Sequence, residues 1–134
     1  MHNRICAIDY GQKRVGIAIS DSLGITAQPK PFIENNNQLT TKIKVLISDY
    51  DIKKIIIGNP LDTSGGETKK STEVKLFVSE LKSQLDISIE LVDERFSTVA
   101  ATKQMDAIGI NRKKQRKLID SQAAAFFLQG YLEK

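Results

Sequence analysis

Arg4-Ile5-Cys6-Ala7-Ile8-Asp9-Tyr10-Gly11 is answered by Lys13-Arg14-Val15-Gly16-Ile17-Ala18-Ile19-Ser20-Asp21, and the fold follows from how this pair is read. An apolar run stops at a carboxylate and a glycine turn, then a second apolar run returns, which predicts an antiparallel hairpin. A charge at the end of a buried strand is costly unless something positive meets it. Gly11 and Gly16 leave room for a backbone, a phosphate or a metal to come close. The hairpin therefore suggests a carboxylate held for metal or phosphate chemistry. An Asp that merely caps its own turn is the competing explanation, and this stretch alone does not separate the two.

Working outward, Ala27 to Ile33 reads as a third strand, peripheral because Pro29 and Pro31 cannot donate to a ladder. Apolar residues recur at helical spacing from Leu39 to Tyr50, predicting a first helix. Lys54-Ile55-Ile56-Ile57-Gly58 has the β-branched content of a strand buried on both faces. A turn-rich loop follows from Asn59 to Thr68, then helical spacing through Val74, Phe77, Val78, Leu81 and Leu85. Ile87 to Val92 reads as a fifth strand running into Asp93-Glu94-Arg95. Ser97 is placed to cap a helix through Met105 to Ile108, closing near Gly109. Asn111 to Lys117 reads as a basic connector before a last helix, Leu118 to Leu132. The order β-β-β-α-β-α-β-α-α predicts one α/β domain over residues 1–134. Its five-stranded mixed sheet has three antiparallel strands, and the last two run parallel to the first.

Composition narrows the function classes. The chain has 134 residues, 20 Lys plus Arg against 16 Asp plus Glu, and a net charge of +4, mild evidence for a polyanionic partner. Aromatics make up 6% of the chain with no Trp, which disfavours a multi-ring stacking platform for single strands. No apolar run approaches the ~20 residues of a membrane span, and the start of the chain lacks a signal-peptide layout. The lone Cys6 excludes an internal disulfide, so a cytoplasmic location is expected. His2 is the only histidine, which argues against zinc chemistry.

Parallel strands one, four and five would bring Asp9, Asn59-Pro60 and Asp93-Glu94 to one edge of the sheet, where open α/β sheets bind ligands. Two carboxylates there repel, so a hard divalent cation is the natural partner. Asp120 shares a helix face with Ala123, Ala124, Phe127 and Tyr131, pointing it at the sheet. Read alone, it also fits the first turn of a helix, favoured by the dipole. Three carboxylates on separate elements suit two Mg²⁺ ions about 4 Å apart and in-line phosphodiester hydrolysis. Asp93 and Glu94 alternate to opposite faces, so only one of them joins Asp9.

Asp9-Tyr10-Gly11 with Lys13-Arg14-Val15-Gly16, Gly58-Asn59-Pro60-Leu61 with Gly65, Asp93 to Thr98, and Asp120-Ser121-Gln122-Ala123-Ala124 together resemble the YqgF/RuvX family. The resemblance covers essentially the whole chain. It implies an RNase H-like fold and a nuclease acting on Holliday junctions or maturing the 5′ end of pre-16S rRNA. It also implies Asp9, Glu94 and Asp120 as the catalytic, metal-binding carboxylates. Mg²⁺ would be the cofactor, with Mn²⁺ able to replace it. Nucleic-acid contacts are expected from Lys13, Arg14 and Arg95. They are also expected from Arg112, Lys113, Lys114, Arg116 and Lys117, five cations within six residues. Arg95 equally fits a structural ion pair, and Lys13 and Arg14 equally fit exposed turn charges. The expected partners are precursor rRNA or branched DNA, with the ribosome a further candidate. No membrane is expected, and both a monomer and a homodimer stay open. Two other classes are a one-domain relative of the actin-like nucleotide-binding proteins, for which the chain is too short, and a non-catalytic nucleic-acid or ribosome-associated module.

Overall fold

The computed structural model describes residues 4–60, 64–93 and 112–133, the stretch 112–120 as helical backbone only. Strands β1 (Arg4–Asp9), β2 (Arg14–Ser20) and β3 (Ala27–Glu34) form an antiparallel meander. Helix α1 (Leu39–Tyr50) leads to β4 (Ile52–Asn59), and helix α2 (Lys69–Gln84) leads to β5 (Ser88–Asp93). Helix α3 (Arg112–Leu132) closes the order. β4 lies parallel to β1 and β5 parallel to β4, giving one sheet ordered β3-β2-β1-β4-β5. β1 is central, and the proline-bearing β3 is an edge, as its sequence requires.

Strand alternation splits the core in two. Cys6, Ile8, Ile17, Ile55 and Ile57 pack with Leu39 and Ile43 of α1 and with Val74, Phe77 and Leu81 of α2. The intervening Ala7, Ala18 and Ile56 pack with Ala124, Phe127 and Leu128 of α3 on the other face. The three successive isoleucines of β4 are thus buried on both faces, each contributing ~1.5–3 kcal/mol. Small residues at 7, 18, 123 and 124 let α3 lie close to the sheet.

The hairpin, β3, α1, β4, α2 and β5 all form where the sequence predicts them. One boundary differs. Residues 112–117 are the opening turns of α3 rather than a connector. Lys, Arg and Gln are good helix formers, and no Gly or Pro interrupts them before Leu118. Asp120 therefore lies more than two turns inside a helix, which removes the first-turn explanation for it. The helix expected between Ser97 and Ile108 lies outside the described residues.

Candidate active site

Asp9 ends the central strand. Its neighbour Ala7 packs against α3 and its neighbour Ile8 against the α1–α2 layer, so alternation puts Asp9 on the α3 face. Its partner across the antiparallel pair is Gly16. One step beyond the Ile8–Ile57 pair, Gly58 of β4 lies level with it on the parallel side. Gly58 in turn pairs with Val92. The carboxylate is thus bordered in the sheet by two residues without side chains. The turn beyond it is tight. A Cβ on Gly11 would stand 2.3 Å from the Arg14 carbonyl oxygen, and the Gly11 carbonyl accepts a 2.7 Å hydrogen bond from Asn35 Nδ2.

Helix α3 is fastened beside this row. The β2–β3 ladder slips in register between Val15 and Ile17, which frees the Ile17 amide. That amide donates to Ser121 Oγ at 2.9 Å, and the same hydroxyl donates to the Lys30 carbonyl at 2.5 Å. Ser121 is wholly buried. One residue earlier in the helix is Asp120, and one residue earlier in β2 is Gly16, the partner of Asp9. Ser121 thus anchors α3 to β2 one residue along from the partner of Asp9, and Gln129 fastens the same helix to Ala27 and Ile25. Near the other end of α3, Tyr131 donates to Glu90 Oε2 at 2.8 Å and accepts from Lys54 at 2.5 Å. Lys54 also pairs with Glu90 at 2.8 Å, and that hydrogen bond is the main reason its pKa is raised.

β5 finishes level with this edge, Asp93 pairing with Asn59. Ile89 and Leu91 pack in the α1–α2 layer while Val92 packs against α3, so Asp93 belongs to the face opposite Asp9. This separates Asp93 from the Asp9 side, as alternation predicts. Glu94 and Arg95 lie outside the described residues, as do the side chains of Arg112, Lys113, Lys114, Arg116, Lys117 and Asp120. Lys13 is an exposed turn residue. Arg14 stands over the Phe32 ring at 5.6 Å, a cation–π placement at the edge strand.

The sequence reading missed Lys69 and Lys70. Thr68 caps α2 through a reciprocal box with Ser71, and its hydroxyl donates to the Pro60 carbonyl at 2.8 Å, tying the start of α2 to the end of β4. Lys69 and Lys70 are thereby carried to the site's edge of the sheet, where they share a cavity wall with Gln12 of the Asp9 turn. A strand that ends at the site and feeds a helix was the available signal. Glu67, hydrogen-bonded to Lys75 and then to Ser71, has its carboxyl pKa lowered.

Among the described residues no three His, Cys, Asp or Glu side chains come together. The predicted donor set, one Asp and one Glu with a further Asp, offers hard oxygens alone. An all-oxygen set beside two glycines suits a small hard cation better than zinc, which prefers Cys and His. Also among the described residues, no helix is long and apolar enough to cross a membrane.

The RuvX family profile, described as Holliday junction resolvase, matches residues 3–134. The chain is 42% identical over 134 residues to a protein of Sulfurihydrogenibium sp. named "Putative pre-16S rRNA nuclease", covering 98% of this chain and 91% of that one. A Lachnospira eligens protein of the same name is 40% identical, with 97% and 96% covered. T. thermophilus RuvC in complex with a Holliday junction substrate superposes with a TM-score of 0.60 at 12% identity, over 98% of this chain and 94% of that one. Fowlpox virus resolvase with Holliday junction DNA does so at 0.59 and 14%, with 97% of each chain covered. At such identities the structural likeness concerns the fold alone, and the RNase H-like architecture implied by the sequence is the one observed.

Proposed function

The chain belongs to the RuvX family, and from that premise we propose that it is a divalent-metal-dependent endonuclease that hydrolyses phosphodiester bonds in structured nucleic acid. The observation that carries the reading is Asp9 at the end of the central strand, between two glycines, with α3 pinned alongside through Ser121. Asp9, Glu94 and Asp120 would hold Mg²⁺, or Mn²⁺ in its place. The alternation that sets Glu90 and Val92 on the α3 side favours Glu94 over Asp93 for this role. A metal bound there supplies the charge that makes water a nucleophile and steadies the leaving oxygen. The chain's own part is to fix the carboxylates against a rigid sheet, and to hold the phosphate backbone with Lys13, Arg14, Arg95 and the basic start of α3. Such contacts position a substrate without reading its sequence.

The substrate we favour is the 5′ end of pre-16S rRNA, after the names of the relatives, with a four-way DNA junction second, after the family description. A cytoplasmic site of action, with the ribosome as a possible neighbour and a monomer or homodimer as the working unit, fits that role. The test is cleavage of both labelled substrates in Mg²⁺ and in Mn²⁺, wild type beside Asp9→Asn. Metal-dependent cutting by wild type that falls at least ~100-fold in Asp9→Asn is expected, together with a rise in Tm on adding Mg²⁺ that the variant lacks. Tight binding of both substrates by wild type with no cleavage would leave the non-catalytic binding module as the function.

A further inference from the structure

On the α2 side of the sheet edge, an open groove of ≈350 Å³ runs between the Asp9 turn and α2, walled by Tyr10, Leu76 and Phe77 and edged by Glu73 and Glu80. It continues into a second hollow of ≈230 Å³ lined by Lys69 and Lys70, with Gln12 and Glu73 common to both. We infer that this groove is a subsite for one unpaired nucleotide flanking the cleaved bond, with the base against Tyr10 and Leu76 and its phosphate at Lys69 and Lys70. The inference rests on the nuclease reading for the words "flanking the cleaved bond". The binding site itself does not depend on that reading.

Four observations carry it. Tyr10 directly follows Asp9 and packs with the α1–α2 layer, so a base lying on it sits around the end of β1 from the Asp9 carboxylate, on the other face of the sheet. Its ring is fixed by stacking on Phe77 at a centroid distance of 4.4 Å and an interplanar angle of 30°, which makes a rigid aromatic wall. Leu76 is 69% exposed, a large apolar side chain presented on the outside of a helix at that same wall. The polarity then sorts the two ends. Glu80, which lines only the aromatic hollow, repels a phosphate but accepts from the exocyclic amine of a base, whereas Lys69 and Lys70 line only the other hollow and attract the phosphate. Glu73 also holds Gln12 through two 3.3 Å hydrogen bonds, keeping its amide at the junction of the two hollows. Scarce aromatic residues rule out a long stacking platform, but a pocket for a single base needs one ring.

The test is fluorescence anisotropy on the full chain in EDTA, with short oligo-dC and oligo-C probes, whose bases carry an exocyclic amine, beside abasic oligomers of equal length. Wild type is expected to bind the base-bearing probe at least about tenfold more tightly than the abasic one. Leu76→Ser, an exposed substitution, should remove most of that preference. Tyr10→Leu should act likewise, with unchanged circular dichroism confirming the fold. Lys69→Glu with Lys70→Glu should weaken both probes alike and lower the salt slope by about two. The DNA and RNA arms tell which sugar is preferred. Equal binding of base-bearing and abasic probes by wild type, or a preference untouched in both groove variants, overturns the subsite. Cleavage assays on the same preparations keep the two ideas apart. Absence of the preference in wild type that still shows Asp9-dependent cutting sinks the subsite alone, and a wild-type preference without such cutting sinks the nuclease alone.

Discussion

At the residue scale, what makes Asp9 unusual is its surroundings. A carboxylate between valines would have methyl groups from its strand neighbours on both flanks, whereas Gly16 and Gly58 put no side chain there. Gly58→Val would place a branched side chain level with Asp9 and on the same face of the sheet. We expect this variant to keep its far-ultraviolet circular dichroism, since valine suits a strand, yet to lose at least ~10-fold in metal-dependent cleavage and to need more Mg²⁺ for half-maximal rate. Wild-type cleavage by Gly58→Val would show that the bare flank has no role. Asp9 and Gly16 were legible in the sequence because a carboxylate and glycines punctuate apolar runs. The part played by Gly58 was not, because it depends on the register between β1 and β4, which no local pattern encodes. Ser121 was invisible for the same reason. Its partner is an amide freed by a slip in the β2–β3 ladder.

At the element scale, strands and amphipathic helices were readable from apolar spacing, and the interior of each described element matched. The start of α3 was misread because a cluster of cations resembles a solvated loop. Only the absence of Gly and Pro, together with good helix propensity, argues for continuity. The consequence is functional. On a helix the five cations lie on a rigid rod that leads directly to Asp120, a third of the predicted carboxylate set, rather than on a strap that can adapt. Reversing Lys113, Lys114 and Lys117 to Glu together should weaken nucleic-acid binding at low salt. It should also lower the slope of log K against log salt by about three, while leaving the single-turnover cleavage rate at saturation within about threefold. A cleavage rate at saturation that collapses instead would mean these side chains act at the reacting phosphate.

At the scale of the whole molecule, Cys6, Lys54 and Glu67 have shifted titrations and none is a proposed catalytic carboxylate, so they set a stability profile that metal-free protein should show. Burial pushes the Cys6 thiol up to about 12 from an ordinary 9.0. Above pH 9.0 the unfolded chain gives up that proton while the folded chain keeps it. Stability is therefore whole below 9.0 and falls as the pH climbs toward 12, by about 1.4 kcal/mol per pH unit for one proton. Lys54, raised from 10.5 chiefly by its hydrogen bond to Glu90, acts in the same direction. Its contribution is present below 10.5 and is lost as pH rises through the folded value. Glu67 works on the acid side. Lowered from 4.5 by Lys75 first and Ser71 second, it contributes above 4.5 and loses that contribution as pH falls through its folded value, though its exposed position keeps the effect small. The expected result is a plateau between about pH 5 and 9 with an alkaline limb dominated by one buried thiol. Urea unfolding at a series of pH values should show Cys6→Ala less stable at neutrality, from lost core volume, but losing stability less steeply beyond pH 9 than wild type. Parallel alkaline limbs in the two proteins would remove the thiol from that account. They would assign the decline to Lys54, whose pairing with Glu90 and Tyr131 fastens the far end of α3 to β4 and β5.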